Sequence, residues 1–138
     1  RFGDPETQVV LPLLETDLVD IMEAVWEEKL DQLDIKWSDK SCACVVIASG
    51  GYPEKYETGK EISGLDEKGQ SPLAYVYHAG TKLENGKYYT AGGRVLGVTA
   101  TGADLREALD KAYKAVDAIT FENAHHRNDI GQRALKAL

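Results

Sequence analysis

Apolar residues recur along this chain with two different periods, and the period marks out the elements. From Thr16 onward, Leu18, Ile21, Met22, Val25, Trp26 and Leu30 return every three or four positions behind Asp17, which predicts a helix with one apolar stripe facing a core. A second helical pattern begins at Asp104 or nearby Thr101, with Leu105, Ala108, Leu109, Ala112, Tyr113, Val116 and Ile119 on one face. Between the two lie short runs rich in β-branched and aromatic residues, Cys42–Ala48, Leu73–His78 and Val95–Ala100, which read as strands. Asn85-Gly86 is the strongest hairpin signal, because both central positions of a type I′ turn need positive φ. Its flanks, Lys82-Leu83 and Lys87–Thr90, are therefore expected to pair as antiparallel strands.

Weaker signals fill in the rest. Asp4 before Pro5 predicts a short capped helix starting at Pro5. The stretch from Asp31 to Lys40 is polar and turn-like, with Trp37 expected to stack at the core's edge. Charges and glycines make Glu54–Gly69 mostly loop, with a short strand near Lys60–Ile62, and a last short helix follows Asp129. The order is helices, a small sheet of four to six strands, then helices, which defines an α+β domain.

Composition narrows the functional classes. At 138 residues the chain has the size of one domain and can bury roughly two-thirds of its unfolded surface. A net charge of −7 argues against nucleic acid, whose binding needs a basic face. No apolar run approaches the roughly 20 residues of a membrane span. The two cysteines, Cys42 and Cys44, fall on one face of a predicted strand with Cα atoms about 6.5–7 Å apart, at or beyond disulfide reach. They read as two small buried thiols in a reducing, cytoplasmic setting, or else as a metal or redox pair.

Candidate chemistry concentrates at glycine-rich strand ends. Ser49-Gly50-Gly51, Ala79-Gly80-Thr81 and Gly92-Gly93-Arg94 could aim backbone N–H groups at an anion, or could simply join strands. Arg94 could add a forked cation suited to phosphate or carboxylate. His78 ends a strand beside one of these loops, where it could meet a ligand oxygen or serve structure alone. Adjacent His125 and His126 would not share a helix face, and no third metal ligand is placed. The acidic group Glu23, Glu27, Glu28 and Asp31 reads as a solvated helix face. The opening run Arg1-Phe2-Gly3-Asp4-Pro5-Glu6-Thr7-Gln8 differs in kind. Its cation and two carboxylates at a helix start could hold a zwitterion, or form a capped helix with a local ion pair.

These residues resemble the phosphoribosylamine–glycine ligase family (glycinamide ribonucleotide synthetases) of the ATP-grasp superfamily. The opening run looks like the end of that family's metal motif. Four further blocks follow in the family's order: Ala48-Ser49-Gly50-Gly51-Tyr52-Pro53, His78-Ala79-Gly80-Thr81, Gly92–Ala100 and Arg127-x-Asp129-Ile130-Gly131-x-Arg133-Ala134-Leu135. The resemblance implies an enzyme that phosphorylates glycine's carboxylate with ATP and Mg²⁺ or Mn²⁺, after which the amine of phosphoribosylamine attacks to form an amide. It implies Arg1 as the catalytic cation, and Asp4 and Glu6 in a loop walling the acceptor pocket. It also places Gly50, Gly51, Tyr52, His78, Gly80, Thr81, Gly93 and Arg94 at the shared cleft, as substrate-binding candidates. Residues 1–30 would be the end of the ATP-grasp core and connecting helices, and 31–138 would form a barrel-sandwich-like C-terminal domain. The metal ligands would lie before Arg1, in ATP-grasp and N-terminal domains that are this chain's expected partners. The chain alone is accordingly expected to bind no cofactor and to be inactive. Asn123-Ala124-His125-His126 departs from the family pattern, which removes support for a family role of either histidine. Two other readings stay open: a biotinyl- or lipoyl-type carrier, with Lys87 near a hairpin tip, and a non-catalytic interaction module.

Overall fold

A computed structural model describes residues 2–137. Helix α1 (Thr7–Val10), a 3₁₀ turn at Leu11–Leu13, α2 (Leu18–Trp26) and a 3₁₀ turn at Leu30–Gln32 form an N-terminal arm. Six strands follow: β1 (Ser41–Ala48), β2 (Glu61–Ile62), β3 (Tyr75–His78), β4 (Thr81–Glu84), β5 (Lys87–Thr90) and β6 (Arg94–Gly102). Helices α3 (Leu105–Ala118) and α4 (Gln132–Leu135) come last. The α+β class and the element order agree with the sequence reading.

The strands form two three-stranded antiparallel sheets, β1-β6-β3 and β2-β5-β4, rather than one. The chain changes sheet at glycine: Ala79-Gly80 carries it from β3 into β4, and Ala91-Gly92-Gly93 carries it from β5 back into β6. A glycine that switches sheets and one that turns a hairpin look alike in sequence, which is why a single sheet was the simpler expectation. The hairpin at Asn85-Gly86 is present, with φ of 50° and 77° as a type I′ turn requires.

One face of the first sheet carries Ala43, Val45, Ile47, Val76, Leu96, Val98 and Ala100 in alternating register. These residues form the buried core against α3, whose Ala108, Ala112, Ala115 and Val116 are almost fully enclosed. Alanine on that face lets the helix approach the strands closely. The start of α3 is fixed reciprocally: the Asp104 carboxylate accepts from the Glu107 N–H at 2.8 Å, and the Glu107 carboxylate accepts from the Ala103 N–H at 2.6 Å. Cys44, Gly97 and Tyr77 lie on the opposite face, where α1 lays Gln8 across them.

The arm departs from expectation in three places. Helix α2 forms, and Asp17 caps it by accepting from the Val19 N–H at 2.8 Å. Its stripe does not pack in the core, however: Met22 is 56% exposed and Trp26 is 89% exposed. Helix α3 fills the core face of the first sheet, and α1 lies on part of the other. Trp37 is likewise exposed, and its backbone bridges Leu14 instead of its ring stacking on the core. The first helix begins at Thr7, not Pro5, and no side chain caps it. Thr7 turns both its N–H and its hydroxyl back onto the Gly3 carbonyl, while the Asp4 carboxylate is engaged elsewhere. Glu23, Glu27, Glu28 and Asp31 are exposed, as a solvated face should be. Among the described residues, no helix is long and apolar enough to cross a membrane.

Candidate functional site

The three glycine-rich loops meet at the start of β6. Ser49 donates its N–H to the Gly93 carbonyl and its hydroxyl to the Gly92 carbonyl, both at 2.8 Å. Gly80 donates its N–H to the Arg94 carbonyl at 2.9 Å, and Ala91 donates to the Gly80 carbonyl at 2.7 Å. These N–H groups hold the loops to one another. The Tyr52 ring lies directly against the Gly93 α-carbon, with Tyr56 beside it at a centroid distance of 6.0 Å.

This knot presents Arg94 to the N-terminal loop. Its Nη1 donates to the Asp4 backbone carbonyl and its Nη2 to Asp4 Oδ2, each at 3.0 Å. Gln8 Nε2 reaches the other carboxylate oxygen at 3.4 Å. Asp4 and Arg94 are thus one contact across ninety positions of sequence. Beside them opens a cleft of about 370 Å³. Cys44, Val46, Ala48 and Ile130 give it an apolar floor, and Pro5, Tyr52, Arg94, His125, His126 and Arg127 line its rim.

The two histidines reach this rim because their segment is extended, not helical. His125 exchanges both backbone hydrogen bonds with Ala48, at 2.7 and 2.9 Å, so helix-face reasoning does not apply to them. Tyr113 steadies the segment, donating its hydroxyl to the Arg127 carbonyl at 2.8 Å and accepting from the Ile130 N–H at 3.2 Å. Arg127 grips both oxygens of Asp129 at 2.8 and 2.7 Å. That pairing holds the Asp129 carboxyl below the usual carboxylate range. His125, His126 and Arg127 had no site role in the sequence reading; the signal that could have found them was the Arg127-x-Asp129 spacing within the last block.

Of the candidates, Tyr52 and Arg94 line the cleft, Asp4 is bound to Arg94 beside it, and Gly50, Gly51, Gly80 and Gly93 belong to the glycine loops. Glu6 is exposed and folds its carboxylate over Gly3. His78 and Thr81 do not line the cleft. Nε2 of His78 donates to the Gly69 carbonyl at 2.8 Å, so Nδ1 accepts the Thr81 hydroxyl at 2.9 Å, and the ring packs on Tyr88. Arg1, the implied catalytic cation, lies outside the described residues. Among those residues no three His, Cys, Asp or Glu side chains come together as a metal's donor set, and Asp4 is already held by Arg94.

Cys44 lies in the cleft floor, and its neighbour Cys42 shares its face of β1. Burial first, then the neighbouring Cys44, pushes Cys42 up to about 11, and burial raises Cys44. An acid whose folded value is raised adds stability below its unfolded value near 9, and this is lost as pH rises through about 11. Native protein at pH 8 is expected to alkylate with iodoacetamide much more slowly than urea-unfolded protein. Equal rates, read by intact mass, would contradict this.

Fold and site together define an α+β domain that closes one side of a cleft and clasps an incoming N-terminal loop. The chain belongs to the family described as phosphoribosylglycinamide synthetase, C domain, whose pattern matches residues 42–133. It is 50% identical over 94% of its length to a phosphoribosylamine–glycine ligase of Caldanaerobacter subterraneus, and 51% identical over 98% to one of Synechocystis. It spans 30% and 32% of those two proteins. The crystal structure of a phosphoribosylamine–glycine ligase from Thermotoga maritima matches 94% of this chain, using 31% of its own, with a TM-score of 0.72 and 32% identity.

Proposed function

We propose that this chain is the C-terminal part of a phosphoribosylamine–glycine ligase, joining glycine to 5-phosphoribosylamine and yielding glycinamide ribonucleotide, ADP and phosphate. The observation that carries the reading is identity near 50% along almost the whole chain with proteins bearing that name. In the full-length protein, activation of the glycine carboxylate is supplied by ATP with Mg²⁺ or Mn²⁺, held by the remainder of the polypeptide. This chain contributes the Asp4–Glu6 loop, the Arg94 side chain that holds that loop, the Tyr52 wall and an apolar floor. Residues 1–30 finish the ATP-grasp core and 31–138 form the C-terminal domain; the exposed α2 stripe supports the first assignment. A cytoplasmic location is part of the same proposal.

A carrier would need a lysine free at a hairpin tip. Lys87 instead begins β5 and pairs with Glu61 at 2.9 Å, so the structure does not favour that reading. The test is turnover. The 138-residue chain mixed with ATP, Mg²⁺, glycine and phosphoribosylamine should release no ADP above background, and the full-length protein should release it. Turnover by the chain alone would overturn the division of labour. A silent full-length protein would overturn the ligase reading.

A further inference from the structure

We propose that Arg94 is a positioning residue, acting on the reaction through the N-terminal loop and not by touching substrate. Its guanidinium grips Asp4 twice, at the backbone carbonyl and at Oδ2, each at 3.0 Å. A bond to the carbonyl fixes the path of the chain, which a side-chain ion pair alone would not do. The Arg94 end is itself immobilised: its carbonyl accepts from the Gly80 N–H at 2.9 Å, and its backbone stands opposite Ala48 across β1. The loop end is a small closed unit, with Thr7 bonded to Gly3 and Gln8 to Asp4. One forked side chain therefore joins a rigid strand to a compact loop.

The pair's exposure points the same way. Its side chains are 38% and 58% exposed, so water screens the charge and the contact adds little to global stability. Its value is geometric. The guanidinium fork matches two acceptors at once, which a lysine ammonium cannot do with the same direction. The catalytic consequence rests on the ligase reading above; the mechanical one does not.

Arg94→Ala, Arg94→Lys and Asp4→Ala are made in the full-length protein. Amide hydrogen exchange of residues 3–10 is measured without ligand, and steady-state kinetics are measured alongside. Exchange in the loop should rise on the order of tenfold in Arg94→Ala and Asp4→Ala, while β1 and β6 stay protected. Arg94→Lys should fall between these and the parent. kcat should drop by roughly 10- to 100-fold, as expected for a misplaced group, with KM for ATP unchanged. The double variant should be no worse than either single one.

A raised KM for phosphoribosylamine with loop exchange and kcat unchanged would make Arg94 a substrate ligand and overturn the proposal. Unchanged exchange in every variant would overturn it as well. If Arg94→Ala loses protection throughout the sheet, Asp4→Ala decides, because it releases the clasp without touching β6. A parent protein without ligase turnover would remove the ligase reading and leave the exchange result to judge the clasp.

Discussion

Gly80→Ala is expected to destabilise the domain by about 1–3 kcal/mol or more, the range for forcing atoms into a filled space. A β-carbon there would lie 2.7 Å from both the Arg94 carbonyl oxygen and the Gly92 α-carbon. Both neighbours are backbone, so no side chain can swing aside. Relief requires separating the β3–β4 crossover from the Gly92–Arg94 segment, which breaks the Gly80-to-Arg94 and Ala91-to-Gly80 hydrogen bonds. Urea unfolding followed by circular dichroism should show a lower midpoint with a similar slope. An unchanged midpoint would mean the loops are not held in the close approach described.

Leu96→Ala should cost about 2–5 kcal/mol, the usual range for emptying a buried leucine site. Leu96 is 1% exposed on the central strand, opposite Ile47 and His78, within the main core cluster. Ordered strands and α3 surround it, so the cavity can collapse only slightly. The comparison with Met22→Ala is the informative one. Met22 sits on a stripe of similar sequence character, yet its 56% exposure predicts a change within about 0.5 kcal/mol. Equal losses at the two positions would contradict the division between core and arm.

That contrast marks where sequence was a sufficient guide. Helix α3 and the Asn85-Gly86 hairpin were legible because their determinants are local: a cap, an i,i+4 face, and two residues that tolerate positive φ. The stripe of α2 identified a helix correctly but could not say what would cover it, since periodicity reports a face and not its occupant. For Asp4 the sequence offers only near-neighbour roles, a cap for the helix after Pro5 and a local ion pair with Arg1. Its actual partner, Arg94, comes near only after β6 has folded beside β1. The same holds for His125 and His126, dismissed as a pair on a helix and brought to the cleft by an extended segment pairing with Ala48. Among the candidates, the glycines were found by composition, and their role as sheet-switching points needed the topology.

The ladder between β1 and β6 sets Ser41 opposite Gly102 and Ile47 opposite Leu96. As the chain leaves the ribosome, β1 emerges long before the strand that pairs with both it and β3. Nothing made earlier can stand in, because β6 is the middle of its sheet. The apolar side chains of β1 must wait for a distant partner, so closure of this domain is a single long-range event that follows the making of β6. A chain stalled before Arg94 holds β1 and β3 with no middle strand to join them.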